Sequence, residues 1–329
     1  MKHTFKILRL AVCTVICAAM LFAFAGCSKS EDTQKVRIAY FPNITHSQAL
    51  IGSANGTFEQ KLEGCEVEYY TFNAGPAEIE AVFAGEIDIG YIGPVPASSG
   101  YARSDGDVVI ISGCANGGAV LVAANGSGIE SVGDLAGKKV AIPQLGNTQH
   151  LSLLKLLSDN GLKTTTAGGD VDVYAVANSE IKSLMANGEI DAALVPEPWG
   201  TRLTHEINAE LVLDYDEIWL EGNYSVAVVI ARKEFLEKNP ELVEKFLDAH
   251  AELTEYINSN PEEAMKTANE KIRELTGAAL EDNILSEAFS RIVFTTDPAR
   301  ESVEEFINIS LDEGFVEPFD DVDGLFRTR

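Results

Sequence analysis

The sequence is short of basic residues: 25 Lys and Arg stand against 51 Asp and Glu, which gives a formal net charge of −26. A nucleic-acid partner requires clustered cations, so this balance excludes nucleic acid as the partner. Catalytic signatures are also missing, because the chain contains no GxSxG, HExxH, GxxxxGKS/T or GxGxxG pattern. We therefore predict no catalytic residues, no enzyme activity and no cofactor.

Long apolar runs are scarce as well. The run at residues 10–25 has 16 residues, fewer than the roughly 20 that a membrane-spanning helix needs. It follows three basic residues and ends in FAGC, an arrangement typical of a secretory signal peptide over residues 1–26. FAGC resembles a bacterial lipobox, which predicts a lipid on Cys27; cleavage elsewhere and an uncleaved anchor are the alternatives. The polar residues 27–35 then indicate a flexible tether.

Cysteine is rare, and only Cys65 and Cys114 follow Cys27 in the chain. There is no CxxC pair and no Cys/His spacing typical of zinc, so we predict no metal site. A Cys65–Cys114 disulfide would suit an oxidising exterior. Two unpaired thiols are an equally good interpretation of the sequence.

What the chain does contain is a repeat. Residues 77–97, AEIEAVFAGEIDIGYIGPVPA, return as residues 179–200, SEIKSLMANGEIDAALVPEPWG. Upstream, residues 36–50 match residues 139–153, and both segments combine a β-rich strand, a loop and a helix that carries His. A near-constant offset over several landmarks indicates a duplicated structural unit.

Each copy predicts the order strand, loop, helix, strand, helix, strand. Apolar residues at helical spacing define one buried face per helix: Ile79, Val82 and Phe83, then Ile181, Leu184 and Met185. Gly85 and Gly188, 103 residues apart, end the two helices. Asp88 and Asp191 hold matching positions just after them, so we expect a structural role for both rather than an acid–base pair.

The repeat predicts an α/β fold with two lobes, each a mostly parallel sheet flanked by helices. Residues 36–118 together with 226–329 are predicted to form lobe 1, and residues 119–225 lobe 2. The C-terminal part is helical, with a helix that opens at Asn239-Pro240, and is expected to return to lobe 1. Two chain crossings then join the lobes, which predicts a hinge.

Ligands of open α/β sheets bind outside the carboxyl ends of the strands, where two facing lobes would form a cleft. The loops predicted there lead into helices, whose N-termini offer unpaired N–H groups and a partial positive charge that suit an anion. None of these loops contains Lys or Arg. The segment 145–150 is the best example, since Gly146 permits close approach of a ligand. Asn147 and Thr148 add polar groups, for which simple helix capping is the alternative role.

Several residues near the predicted cleft have two interpretations. Trp199 would form an apolar wall of the cleft or pack beneath its own loop. Glu197 would repel an anion unless it pairs with a cation or accepts from an amine of the ligand. His46 and His150 occupy matching places in the two copies and could bind metal with Glu197. Because the chain lacks the residue spacing typical of metal ligands, we expect the two histidines to form hydrogen bonds instead.

Four segments resemble the solute-binding proteins of ABC importers for aliphatic sulfonates, taurine and nitrate. They are FPNITHSQALIG, GPAEIEAVFAGEIDIGYIGPVPA, VGDLAGKKVAIPQLGNTQHLSLLKLL and EPWGTRL. The resemblance covers about Val36 to Phe235, with a weaker helical tail. It implies a type II periplasmic-binding-protein fold that closes on its ligand, with an ABC permease and its ATPase as partners. Enzymes on this fold that make a pyrimidine precursor use a Cys-rich motif, which is absent here.

The resemblance also implies which loops bind the solute. Together with the strand-end loops, it predicts these ligand-binding residues: Phe41, Asn43, Thr45, His46, Gly75, Pro76, Gly93, Pro94, Asn147, Thr148, Gln149, His150, Glu197 and Trp199. Two prolines in GPVPA depart from an ideal anion site, because they remove backbone donors.

The predicted function is that of an extracytoplasmic, lipid-anchored receptor. It would capture a small organic anion, an aliphatic sulfonate, in the cleft between the lobes and deliver it to a membrane permease. Glu197 leaves room for an amine-bearing ligand such as taurine. A second hypothesis keeps the fold but stacks a heterocyclic vitamin or pyrimidine precursor on Trp199. An extracellular enzyme and a metal receptor are the third and fourth hypotheses.

Overall fold

The structure, a computed structural model, describes residues 34–319 and 321–328. In this part of the chain eleven strands, β1 to β11, follow one another: Gln34–Tyr40, Cys65–Thr71, Ile89–Ile92, Val108–Gly117, Ala119–Ala123, Lys139–Ile142, Asp172–Ala175, Ala192–Pro196, Glu210–Leu213, Ser225–Arg232 and Ile292–Phe294. The predicted signal peptide and Cys27 lie outside the described residues.

Helices alternate with these strands. Those of α type, α1 to α13 in chain order, are Ser47–Asn55, Thr57–Lys61, Gly75–Phe83, Pro94–Arg103, Thr148–Asp159, Asn178–Ala186, Trp199–Ile207, Tyr215–Ile218, Lys233–Lys238, Pro240–Ser259, Pro261–Thr276, Asp282–Ser290 and Arg300–Asp312. Short 3-10 turns occur at Ile44–His46, Val132–Leu135, Thr165–Ala167, Leu220–Gly222 and Asp323–Leu325. Proline stands in the first turn of α3, α4, α10 and α11, where its missing N–H is not needed.

The strands form two separate sheets. The six-stranded sheet has the order β11-β4-β10-β3-β1-β2, and the five-stranded sheet has the order β9-β5-β8-β6-β7. We call the first sheet with its helices lobe 1 and the second with its helices lobe 2. The two sheets match strand for strand, except that lobe 1 adds β11 at its edge. The repeat in the sequence is therefore a repeat in the fold.

The sheets are mixed, which differs from the prediction of mostly parallel pairing. Three neighbouring strands are parallel in each lobe, β2-β1-β3 and β7-β6-β8. The next strand, β10 beside β3 and β5 beside β8, runs antiparallel. Each of these two strands is the one that the chain enters on arriving from the other lobe. It therefore needs no helical crossover of the kind that parallel neighbours require.

Asp88 and Asp191 make the same contacts in the two lobes. Asp88 Oδ2 accepts from the backbone N–H of Arg37 at 3.0 Å, and Asp191 Oδ2 accepts from that of Lys139 at 2.8 Å. In return each aspartate donates its own N–H to the carbonyl of the same residue. Both carboxylates thus join neighbouring strands, which is the structural role expected from the sequence.

The chain passes between the sheets at Gly118 and again through residues 214–224. Gly117 and Gly118 have φ angles of 70° and 69°, a region that glycine alone adopts readily. A Cβ on Gly117 would lie 2.9 Å from the carbonyl oxygen of Arg291, so conformation and space both require glycine. The lobe boundary predicted after residue 118 lies at the first crossing, and the one predicted after residue 225 lies one residue into β10.

The C-terminal helices pack on both lobes. α10 and α11 cover α1 in lobe 1, where Phe246 and Leu253 are buried. In α13, Val303 belongs to the apolar core of lobe 1 and Phe306 to that of lobe 2. The tail therefore returns to lobe 1 as expected, and it also reaches across to lobe 2.

Phe83 differs from its expected burial, and two cysteines decide between the alternatives that the sequence left open. Phe83 was assigned to the buried face of α3 but is 39% exposed, because the end of α3 turns it outward under the guanidinium of Arg103, 4.9 Å from its ring. Cys65 and Cys114 are both free thiols, so the disulfide is not formed. Burial raises the pKa of the Cys114 thiol, which makes it an unreactive core residue.

Candidate functional site

A small cavity lies between the two lobes, at the carboxyl ends of β1 and β3 on one side and of β6 and β8 on the other. Its lining residues are Phe41, Asn43, Thr45, His46, Asn73, Ala74, Gly75, Gly93, Pro96 and Val226 from lobe 1, and Pro143, Asn147, Thr148, Gln149, Asn178 and Pro196 from lobe 2. None of them is Lys, Arg, Asp or Glu. The site is therefore polar but carries no side-chain charge of its own.

The cavity is small. Its volume is about 20 Å³, whereas a single buried water needs roughly 10–15 Å³ on the same scale. A solute of several heavy atoms therefore enters only when the lobes or their side chains move apart.

Three helices begin at the cavity wall. Gly75 opens α3 in lobe 1, while Thr148 opens α5 and Asn178 opens α6 in lobe 2. The first turn of a helix has N–H groups without helical partners and a partial positive charge. Since no Lys or Arg lines the cavity, positive potential there comes from these helix starts.

Gly93 of lobe 1 lies against Thr148 of lobe 2. A Cβ on Gly93 would lie 2.2 Å from Thr148 Oγ1, which is closer than any real contact. Glycine at residue 93 is thus a condition for this degree of closure.

Two buried oxygens in the cavity lining have no hydrogen-bond partner. They are Thr148 Oγ1 and Asn178 Oδ1, on side chains that are 3% and 4% exposed. Leaving such a group without a partner costs roughly 1–3 kcal/mol. By contrast, Asn147 caps α5 by accepting from the N–H of His150 at 2.8 Å, and it donates to Gln149 Oε1 at 3.0 Å.

The histidines of the two copies hold the strand-end loops in the same way. Nδ1 of His46 accepts from the N–H of Phe41 at 3.2 Å, and Nδ1 of His150 accepts from that of Gly146 at 3.0 Å. Burial lowers the pKa of His46 to about 3 and that of His150 to about 4. Both rings are therefore neutral near pH 7 and act as acceptors for their own loops.

Two amide side chains bond the lobes to each other across the cavity. Asn43 Oδ1 accepts from the indole N–H of Trp199 at 2.7 Å. Asn73 donates to the carbonyl of Pro143 and accepts from the backbone N–H of Asn178, both at 3.3 Å. These contacts link strand-end loops of lobe 1 to helix starts and loops of lobe 2, so they exist only while the lobes are closed.

Glu197 does not line the cavity and is fully buried beside Arg291. Its carboxylate accepts from Arg291 Nη1 at 3.0 Å and from the hydroxyl and backbone N–H of Thr201 at 2.8 and 3.0 Å. Burial raises the pKa of Glu197, although Thr201 and Arg291 both favour the ionised form. Arg291 also binds Asp214 and Glu287. The expected repulsion between Glu197 and an anion is thus removed by Arg291.

Trp199 is likewise outside the cavity lining. Its indole N–H is bonded to Asn43, and the guanidinium of Arg202 lies over its ring at 5.1 Å. Arg202 therefore covers one face of the ring, and the side chain is only 9% exposed, which leaves little surface on which a heterocycle could stack.

The structure brings together most of the residues predicted from sequence. The predicted residues that line the cavity are Phe41, Asn43, Thr45, His46, Gly75, Gly93, Asn147, Thr148 and Gln149. Those that do not line it are Pro76, Pro94, His150, Glu197 and Trp199. Lining residues that are not among the predicted binding residues are Asn73, Ala74, Pro96, Pro143, Asn178, Pro196 and Val226. The repeat contained a signal for Asn178, because it holds the place in the second copy that the start of α3 holds in the first.

Within residues 34–319 and 321–328, no group of three or more His, Cys, Asp or Glu side chains is arranged to hold a metal ion. Over the same ranges, every helix is too short or too polar to cross a membrane.

Two lobes, joined by two crossings and closed over a cavity at their strand ends, define a two-lobed solute-binding fold. The same fold occurs in the alkanesulfonate-binding protein SsuA from Xanthomonas axonopodis pv. citri bound to MOPS, with a TM-score of 0.75, 18% identity and coverage of 90% of this chain and 98% of that one. It also occurs in the periplasmic nitrate-binding protein NrtA from Synechocystis, with a TM-score of 0.71, 15% identity and coverage of 90% and 86%.

A sequence relative is the taurine-binding periplasmic protein of Escherichia coli K12, which is 27% identical over 249 residues, 75% of this chain and 74% of the relative. Residues 29–271 match the model of the NMT1-like family. The chain belongs to the NMT1-like family. The resemblance to solute-binding proteins seen in the sequence is thereby confirmed.

Proposed function

We propose that this chain is an extracytoplasmic receptor of an ABC importer that captures a small aliphatic sulfonate between its lobes. The observation that carries the proposal is the unpartnered hydroxyl of Thr148 in a cavity without charged side chains. A sulfonate oxygen would accept from this hydroxyl and from N–H groups at the starts of α3 and α5. Such a site stabilises an anion through neutral donors alone.

The relatives support an anion of this kind. They include proteins named for taurine, alkanesulfonates and nitrate, and taurine and alkanesulfonates share a sulfonate group. The small volume of the cavity favours a solute with a short chain. The binding residues proposed for this solute are the lining residues predicted from sequence, with Asn73 and Asn178 added.

Capture is proposed to work by closure of the lobes about the two crossings. A solute that touches both lobes favours the closed form over the open one. Gly117 and Gly118 at the first crossing supply the backbone freedom for this movement. Lobe 1 is proposed to comprise residues 36–118 and 226–329, and lobe 2 residues 119–225.

Attachment to the membrane is proposed to depend on a lipid on Cys27. The tether between Cys27 and Gln34, the residue at which β1 begins, would leave the two lobes free to meet an ABC permease, which its ATPase drives. Radiolabelled palmitate should label the wild type in its bacterial host, while Cys27→Ser should show no label. Equal labelling of both proteins would contradict this part of the proposal.

The sulfonate proposal is tested by calorimetry on the purified protein. Methanesulfonate and ethanesulfonate should bind and raise the melting temperature by mass action. Thr148→Val keeps the side-chain shape and removes the hydroxyl, so it should weaken binding by about tenfold or more, since a hydrogen bond to a charged group contributes roughly 1.5–3 kcal/mol. Thr267→Val, at a half-buried position of α11 outside the cavity lining, is the control and should bind like the wild type.

Two outcomes would contradict the proposal. One is that no sulfonate binds while a heterocyclic vitamin precursor does. The other is that Thr148→Val and Thr267→Val bind sulfonates equally well, which would place the anion away from α5.

A further inference from the structure

Most polar side chains of the cavity lining already form hydrogen bonds within the protein. Asn43 Oδ1 is bonded to Trp199, both ends of the Asn73 amide are bonded across the lobes, and both ends of the Asn147 amide are bonded within α5. Among the described lining residues, the buried side-chain oxygens without a partner are those of Thr148 and Asn178. A solute that fits the closed form must satisfy these two atoms.

The two atoms require different hydrogen-bonding groups on the solute. A threonine hydroxyl donates, so Thr148 suits the anionic group of the proposed sulfonate. An amide oxygen only accepts, so Asn178 Oδ1 requires a donor on the solute. Because Thr148 and Asn178 open two different helices, α5 and α6, they address two separate groups. A plain alkanesulfonate has an anionic group but no donor, and it would leave Asn178 Oδ1 unsatisfied.

The donor on the solute is better neutral than charged. An ammonium group buried without a carboxylate is strongly unfavourable, and no Asp or Glu lines the cavity. Glu197, the carboxylate that the sequence placed here, is turned away and paired with Arg291. A hydroxyl group needs only the amide oxygen that Asn178 offers.

We propose that the solute is a short hydroxyalkanesulfonate, with Asn178 as the residue that selects its hydroxyl group. This inference rests on the proposed sulfonate function and narrows it. The sulfonate lies at the start of α5 beside Thr148, and the hydroxyl donates to Asn178 Oδ1 at the start of α6. A cavity of about 20 Å³ must widen to hold any sulfonate, and a chain of about two carbons, the shortest that carries both groups stably, requires the least separation of the lobes.

Three compounds of equal length test the inference: ethanesulfonate, 2-hydroxyethanesulfonate and 2-aminoethanesulfonate, measured by calorimetry. The wild type should bind the hydroxyl compound about three- to tenfold more tightly than ethanesulfonate, as expected for one neutral hydrogen bond. The amino compound should bind no better than ethanesulfonate. Asn178→Ala should abolish the advantage of the hydroxyl compound, so that 2-hydroxyethanesulfonate and ethanesulfonate bind this variant with affinities within about twofold of each other.

Asn178→Asp supplies the carboxylate that the cavity lacks and should reverse the preference, so that 2-aminoethanesulfonate becomes the tightest of the three. Asn125→Asp adds the same charge at an exposed position of lobe 2 and should leave the wild-type order unchanged. Melting curves without solute establish that each variant is folded. Should Asn178→Ala fail to fold, Asn178→Ser replaces it, and the order measured on the wild type remains decisive.

The possible failures are distinct. If none of the three sulfonates binds, the proposed function itself is wrong. If ethanesulfonate binds as tightly as the hydroxyl compound, or if the wild type prefers the amine, the sulfonate site stands but the role of Asn178 is overturned.

Discussion

The indole N–H of Trp199 donates to Asn43 Oδ1 at 2.7 Å and thereby bonds the start of α7 in lobe 2 to the loop after β1 in lobe 1. Both side chains are buried, so water competes little for this bond in the closed form. Separation of the lobes must break it together with the contacts of Asn73. The closed form thus has stabilising contacts of its own, to which a solute adds.

Trp199→Phe should weaken sulfonate binding by about three- to tenfold, because it removes one hydrogen bond and leaves the buried Asn43 oxygen without a partner. The loss arises from a smaller population of the closed form, which lowers apparent affinity for any solute. Calorimetry measures the affinity, and small-angle scattering without solute should show a larger radius of gyration than for the wild type.

The chain offers a matched control for that substitution. It has two tryptophans, and Trp219 packs edge-on against Phe306 at 4.5 Å in the core of lobe 2. Trp219→Phe should leave affinity unchanged. If it lowers affinity as much as Trp199→Phe does, the effect is not specific to the bond between Trp199 and Asn43.

Gly93→Ala should impair closure of the lobes without impairing the folding of either lobe. The added methyl group would meet Thr148 Oγ1 at 2.2 Å, a contact that exists only when the lobes are together. We expect sulfonate affinity to fall by about tenfold or more, as overpacking by one methyl group typically costs about 1–3 kcal/mol. Circular dichroism without solute should show a folded protein, because the added methyl group meets a side chain of the other lobe.

Gly133→Ala is the matched control for Gly93→Ala. Its Cβ would meet no atom closer than 3.6 Å, and it lies far along the chain in an exposed 3-10 turn of lobe 2. Affinity should stay at the wild-type level. Wild-type affinity in Gly93→Ala would show that the bound form is less closed than this structure.

The two lobes could be predicted from the sequence, because each copy of the repeat corresponds to one sheet with its helices. It also located the cavity, because ligand sites lie at strand ends in this type of fold. It did not predict the mixed sheets, since the direction of β5 and β10 depends on the path between the lobes. Glu197 and Trp199 were predicted to bind the ligand but do not line the cavity. Their partners, Arg291 and Asn43, are distant in sequence, so these contacts cannot be inferred from the local pattern.

Arg291 and Glu197 should show strong coupling in a double-mutant cycle. Arg291→Met leaves a buried carboxylate without its cation and should lower the free energy of unfolding by about 3–5 kcal/mol. Adding Glu197→Gln to that variant should recover part of the loss, because a neutral amide is cheaper to bury than an unpaired charge. Urea unfolding of the four proteins gives the cycle. Simple additivity of the two single effects would contradict a direct pairing.

Glu78 predicts a pH dependence that one substitution should remove. It is completely buried in the first turn of α3, and neither carboxyl oxygen has a hydrogen-bond partner. Its Oε1 fills the space next to Gly90, where a Cβ would lie only 1.9 Å away. Burial raises the pKa of Glu78 well above its ordinary value of 4.5. The folded protein therefore holds a neutral carboxylic acid at this place.

The direction of this pH dependence follows from the number of protons that the folded and unfolded states bind at Glu78. Below pH 4.5 both states are protonated at Glu78, so the group has no effect on the pH dependence. Above pH 4.5 the unfolded chain releases this proton while the folded protein keeps it, so stability falls as pH rises towards the folded pKa. Glu78→Gln is neutral in both states and should be more stable than the wild type at pH 7, with a difference that vanishes near pH 4.

Urea unfolding of wild type and Glu78→Gln from pH 4 to pH 8 tests this difference. The ratio of their unfolding constants should grow with pH by at most about tenfold per pH unit, the limit for one proton. His46 and His150, with lowered pKa values, destabilise the fold below about pH 6.5 in both proteins, so their effect cancels. Glu180→Gln is the matched control, since Glu180 has the same place in the second copy but is exposed. A pH-independent difference for Glu78→Gln would mean that Glu78 is ionised in the folded protein, in contact with a cation or solvent.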